Sequence, residues 1–372
     1  MSKLGIMICG HGSRAKSAEE EFSLLAKGIR ERYPDIPVEF GFLEYSAPNI
    51  HMGLNALVEK GVTEIIAVPG MLFAATHAKN DIPSVLSTYQ EKHPGLTIRY
   101  GRELGLHPQM IAAFEARILE AIGKDHVHDG ELYDTMLVVV GRGTSDTLAN
   151  AEAAKLTRIV SENLGFGWSE TVYSGVTFPS VGRGLEMSIK LGFKKVVVAP
   201  YFLFTGRLID RINGYVDRVA QTAPEVQFYK AGYLKDQAHV IDTFVERIEE
   251  AKSGKLQDSA DLMGSFKERL ERGEVEIHHH HAEFKDPLDE EAGGGHSHDH
   301  DHDHDHGHHH HDHGHDHGHH HHHHGHSHGV YKHIAHPNGP RTMIDEGVCC
   351  CFMSQFPQNV IDEEREMRAN KG

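Results

Sequence analysis

The chain has 372 residues, 39% of them hydrophobic, which leaves room for two domains of about 120 residues each plus an extension. Of the formal charge of -17, residues 283–316 account for -10, with eleven Asp and Glu against one Lys; the rest is mildly acidic, which argues against nucleic-acid binding. No apolar run approaches the ~18 residues of a membrane span, and the opening Met1-Ser2-Lys3-Leu4 shows no leader pattern. Four cysteines, three of them adjacent, make no disulfide framework, so the cytoplasm is the expected compartment.

Short Val/Ile-rich runs alternate with amphipathic stretches. Over residues 1–125 the pattern predicts strands at 4–9, 38–42, 64–68 and 97–100, and helices at 17–33, 48–60, 82–92 and 108–122. Over residues 131–251 it predicts strands at 135–140, 171–174, 195–199 and 227–229, with helices starting near Thr147, Pro179, Leu208 and Gln237. Runs such as Leu137-Val138-Val139-Val140 and Val196-Val197-Val198-Ala199 are continuously apolar, as parallel strands covered on both faces are. The fold class expected is therefore α/β, with two tandem open parallel-sheet units. Ligands of such sheets bind beyond the carboxyl ends of the strands.

The two halves are one unit written twice, offset by 131 positions. Gly10-His11-Gly12-Ser13 faces Gly141-Arg142-Gly143-Thr144, and Val68-Pro69 through Leu72-Phe73 faces Ala199-Pro200 through Leu203-Phe204. The histidines are not shared: His11 becomes Arg142 and His77 becomes Leu208. A site used in one copy only accounts for that difference.

His11, Glu44 and His77 follow three strands of the first copy. Neighbouring parallel strands lie about 4.8 Å apart, so the three can converge on one ion or small group. Two imidazoles suit a borderline divalent metal, and a near-neutral imidazole can also accept a proton; a metal site and an acid–base site both fit. A histidine-phosphatase strand end would place Arg before the His-Gly pair, but Gly10 stands there and Arg14 follows three residues after the His.

Beyond the repeat, residues 252–295 read as a linker with one helix near 259–272. In residues 296–328, 21 of 33 are His, interleaved with Asp, Gly and Ser. That composition cannot bury an apolar core and predicts a disordered segment binding several divalent ions. Its run of six, His319 to His324, is internal, unlike an expression tag. Residues 329–372 carry Cys349, Cys350 and Cys351, whose adjacency departs from cluster motifs with spaced ligands. An iron–sulfur centre, a thiol patch for soft metals and no role at all stay open for them.

Taken together, Gly10-His11-Gly12-Ser13-Arg14, Phe42-Leu43-Glu44 with Pro48, Val68-Pro69 through Leu72-Phe73 to His77, and Asp81-Ile82-Pro83 make residues 1–250 resemble the sirohydrochlorin cobaltochelatases of the CbiX type, in their long two-unit form. The resemblance implies a class II chelatase fold and insertion of Co2+, as a substrate, into sirohydrochlorin without ATP, in cobalamin synthesis. It implies His11 and His77 as metal ligands, His11 also as proton acceptor, Glu44 as a catalytic and substrate-binding acid, and Leu72, Phe73, Ala74, Ala75 and Thr76 against the macrocycle. Arg14, Lys79, Arg142, Arg207 and Arg211 are candidates to meet its carboxylates, so that the second unit supplies cations in place of ligands. Iron or nickel insertion would use the same ligands. A His-rich metal storage or chaperone protein is the reading from outside the enzymes.

Overall fold

The structure, a computed structural model, describes residues 3–254 and 261–277 apart from Arg14, Val176 and Glu276. The His-rich segment and Cys349, Cys350 and Cys351 lie outside the described residues.

The first unit runs β1 (Leu4–Gly10), α1 (Lys16–Arg32), β2 (Val38–Phe42), α2 (Ile50–Glu59), β3 (Glu64–Pro69), a π-helical turn (His77–Asp81) continuing into α3 (Ile82–Lys92), β4 (Thr97–Tyr100) and α4 (Pro108–Ala121). The second runs β5 (Thr135–Gly141), α5 (Thr147–Leu164), β6 (Trp168–Tyr173), α6 (Val181–Lys190), β7 (Lys195–Pro200), α7 (Arg207–Thr222), β8 (Gln227–Lys230) and α8 (Ala238–Ser253), followed by α9 (Leu262–Glu271). The sheets are parallel, in the orders β2-β1-β3-β4 and β6-β5-β7-β8. The expected α/β fold with two tandem parallel sheets is the one observed.

The apolar strand runs are explained by what lies on each side. Ile6, Ile8, Ile66 and Val68 face one core, which also contains Leu137, Val139, Val197 and Ala199 of the second sheet. Their neighbours Met7, Cys9, Ile65 and Ala67 face a second core under α2 and α3. Met136, Val138, Val196 and Val198 face a third. The period-2 alternation of a strand thus fills two layers with one apolar run.

Helix starts shift slightly from the sequence expectation. The predicted Pro48 start becomes Ile50, because Asn49 caps α2 by accepting from the Met52 N–H at 2.8 Å, after a cis Ala47–Pro48 bond. Ser180 caps α6 in the equivalent way after a cis Phe178–Pro179 bond. Strand β6 begins three residues earlier than expected, at Trp168, whose exposed side chain masks the pattern.

The last helix of each unit packs on the other unit. Helix α4 lies against α5 and β7, while α8 lies against β3, β4 and α1. Gly28 on α1 allows that approach, since a Cβ there would stand 2.5 Å from Ile241 Cδ1. Polar contacts follow the exchange. Arg32 pairs with Asp242 at 2.5 Å, Tyr33 Oη donates to Glu249 at 3.0 Å, and the buried Arg247 donates to the Leu104 carbonyl at 2.7 Å. On α4, the Phe114 ring lies 5.0 Å from Tyr201. The units therefore share a core. Helix α9 seats a fully buried Phe266 and reaches the π-helical turn, where Arg269 donates to the Lys79 carbonyl at 2.8 Å.

Candidate metal centre

The loops after β1 and β2 are fastened together before any side chain is considered. The N–H groups of Leu43 and Glu44 donate to the carbonyls of Gly10 and His11 at 2.9 and 3.0 Å. Ser46 Oγ accepts from the Ser13 N–H and donates to its carbonyl. Gly12 has φ +92°, and a Cβ there would fall 1.7 Å from the Glu44 carbonyl oxygen, so only glycine fits beside His11. Tyr45 takes the left-handed conformation, φ 63°, rare for a bulky residue. That turn places its ring 6.4 Å from His11, nearly parallel to it.

His11 and His77 meet. Their ring centroids are 4.4 Å apart and the planes are perpendicular. Each ring has its Nδ1 engaged. His11 Nδ1–H donates to the Gly12 carbonyl at 3.0 Å, and His77 Nδ1–H donates to Asp81 Oδ2 at 2.6 Å. A carbonyl only accepts, so the His11 proton sits on Nδ1 and the lone pair on Nε2; the carboxylate sets the same tautomer in His77. Both Nε2 atoms are thereby left with a lone pair that could ligate a metal, and the His77 ring has the carboxylate support that metal-binding imidazoles use. The turn bearing His77 is further held by Tyr100 Oη, which donates to the Ala78 carbonyl at 3.0 Å.

Among the described residues no group of three or more His, Cys, Asp and Glu side chains forms a metal cage. An imidazole pair leaves coordination positions for water and for incoming nitrogens, as an ion held only temporarily requires.

The surroundings keep His11 neutral. Its pKa lies well below the ordinary value, first through burial, then through repulsion by His77 and by Arg142; the Gly12 hydrogen bond and Asp81 oppose this. Arg142, the second unit's counterpart of His11, is thus close enough to act on the first unit's site. It also attracts the Glu44 carboxylate. The Arg142 side chain is exposed to solvent.

The other expected residues are placed as follows. Glu44 is half-buried beside the His11 loop. Leu72 and Phe73 are half-buried and pack on the shared core, with the Phe73 ring 5.5 Å from Tyr201. Ala74 packs on the core under α2 and α3, the Ala75 carbonyl accepts from the Lys79 N–H at 2.9 Å, and Thr76 opens the π-helical turn. Lys79 differs from expectation: its ammonium is paired with Asp146, a carboxylate that also caps α5 through the N–H groups of Leu148 and Ala149. It ties the two units together. Arg14 lies outside the described residues.

Sequence reasoning missed Asp81 as a partner of His77. The signal was present, since an acid four residues after the His lies on the same side of a helical stretch. The second copy strengthens it: the counterparts of His77 and Asp81 are Leu208 and Ile212, both residues lost together, and Ile212 is as buried as Asp81.

The CbiX family's sequence pattern matches residues 5–121 and 136–251, most of both units. The chain belongs to the CbiX family. It is 37% identical over 246 residues to the sirohydrochlorin cobaltochelatase of Priestia megaterium, covering 66% of this chain and 79% of that protein. It is 30% identical over 230 residues to a sirohydrochlorin ferrochelatase of the same organism, covering 62% and 83%. Among solved structures it is similar to SirB from Bacillus subtilis with Fe3+, with a TM-score of 0.60, 28% identity, and coverage of 68% of this chain and 98% of that one. The family extends over both units and stops at the extension.

Among the described residues no helix is long and apolar enough to cross a membrane.

Proposed function

We propose that this CbiX-family chain is a cytoplasmic sirohydrochlorin cobaltochelatase, with its site in residues 1–125 and residues 131–251 closing over it. The observation that carries the reading is the perpendicular pair His11 and His77, 4.4 Å apart with both Nδ1 atoms engaged. Insertion of a divalent metal into sirohydrochlorin is common to the activities its relatives' names describe. The choice of cobalt rests on the greater identity to the cobalt enzyme.

The reaction exchanges two N–H bonds of the macrocycle for metal–nitrogen bonds and releases two protons. His11 and His77 hold the Co2+ substrate through Nε2, facing the ring. Glu44 accepts one pyrrole proton. As the ion moves to the ring nitrogens, His11 Nε2 regains its lone pair and accepts the other. Burial, His77 and Arg142 all disfavour a charged His11, so that proton, like the one on Glu44, passes on to water and the site resets. Thr76 and the exposed faces of Leu72, Phe73, Ala74 and Ala75 border the macrocycle, and Arg142 meets one of its carboxylates.

Iron insertion is the second reading, favoured by the ferrochelatase relative. Purified full-length protein mixed anaerobically with sirohydrochlorin and Co2+, Fe2+ or Ni2+, followed by absorbance, separates them. Cobalt as the fastest metal at equal free concentration supports the first reading; iron as the fastest replaces it; no insertion of any metal leaves the storage reading.

The segment 296–328 is proposed to hold divalent ions and release them near this site. Deleting residues 278–328 then slows insertion at limiting cobalt and has no effect at saturation. An equal rate at limiting cobalt removes the delivery role.

A further inference from the structure

A second imidazole pair lies in the stretch joining the units, outside the site described above. His126 and His128 have ring centroids 5.0 Å apart and planes at 85°. The geometry closely parallels that of His11 and His77, at 4.4 Å and 89°. We propose that His126 and His128 form a bidentate site for a borderline divalent cation of the cobalt, nickel and zinc class.

Three observations support it. Val127 packs against the shared core while His126 and His128 are exposed, so one half-buried residue places its two neighbours outward together. The loop is closed around them. Glu131 Oε2 accepts the His128 N–H at 2.9 Å, the Glu131 N–H donates to the His128 carbonyl at 3.0 Å, and Glu131 Oε1 pairs with Lys124. That closure reduces the loop entropy lost when two side chains are fixed on one ion. Finally, the sequence Asp125-His126-Val127-His128-Asp129 sets a carboxylate on each side of the pair, which lowers the cost of bringing in a dication. Imidazole nitrogens bind such ions at about 2.0–2.1 Å, and water fills the remaining positions. Unlike the first pair, this one faces solvent and has no macrocycle to receive its ion, so it binds and releases metal in equilibrium with the medium.

The test uses full-length protein at free Co2+ concentrations set by a metal buffer. Exposed histidines are carbethoxylated with diethyl pyrocarbonate and read peptide by peptide by mass spectrometry. His126 and His128 are expected to lose reactivity over the same range of Co2+. His126→Ala should raise the Co2+ needed to protect His128 by about 100-fold, the loss expected when one of two linked contacts is removed. His11→Ala should leave protection of both unchanged. Protection of His128 at the wild-type concentration in His126→Ala overturns the proposal, as does full reactivity of both at Co2+ levels that protect the 296–328 histidines. Both residues are exposed, so circular dichroism of the variants should match wild type.

Discussion

The two copies of the repeat share strand order, cis-proline turns and the helix caps that follow those turns, yet differ at four positions that matter. His11, Glu44, His77 and Asp81 of the first correspond to Arg142, Gly175, Leu208 and Ile212 of the second. The fold tolerates either set, so the scaffold does not require the imidazoles. The first copy keeps a buried carboxylate that makes sense only beside His77. The second replaces that pair with two aliphatic residues, and Arg142 sends its charge into the neighbouring site instead. The comparison teaches that this set of polar residues behaves as a unit, kept or dropped together.

The strongest way to break this asymmetry is to remove His11. His11→Ala is expected to lower insertion by about 10²- to 10⁴-fold, the usual range for a lost acid–base group, while His239→Ala, an exposed residue of the second unit, leaves the rate unchanged. Equal losses in a sirohydrochlorin absorbance assay would refute the assignment. The next largest effect tests the second copy. Ile212→Asp places an unpaired carboxylate in a fully buried position and should cost about 3–5 kcal/mol in urea unfolding. Adding Leu208→His should recover part of that loss; additive destabilisation would show that the pair is not a unit.

In the first copy, Asp81→Ala should weaken Co2+ binding about 10- to 100-fold, visible in the cobalt absorption spectrum, with Asp81→Asn recovering part of it because its amide oxygen still accepts from His77 Nδ1. Undiminished binding in Asp81→Ala would leave the carboxylate a purely structural group. The smallest effect concerns pH. In the proposed reaction the working form of His11 is neutral, and a lowered pKa extends that form to more acid solution than an ordinary imidazole near 6.5 allows. Arg142→Ala removes one of the depressing charges, so the acid limb of the rate profile should move to higher pH. An unmoved limb would show that Arg142 does not act on His11.

Much of this was legible from the residues. Continuous apolar runs announced parallel strands, and the constant offset announced the repeat. His11, Glu44 and His77 could be picked out because each lies in a loop that follows a strand, where topology alone brings them near. What could not be read depends on contacts between distant parts. The Lys79–Asp146 pair joins residues in different units, and nothing local marks it. Tyr45 enters the site through a left-handed backbone that no glycine signals. The crossing of α4 and α8 onto opposite units was hidden because an amphipathic stripe does not say which sheet it covers.

That crossing has a consequence for how such a chain can be divided. A fragment ending after α4 would lack the helix that shelters β3, β4 and α1, and its own α4 would have nothing to lie on. Two identical fragments could satisfy each other by lending α4 reciprocally, turning an intramolecular trade into a symmetric dimer. Half-length versions of this architecture are therefore expected to work as pairs, and the covalent fusion frees one partner to lose its imidazoles.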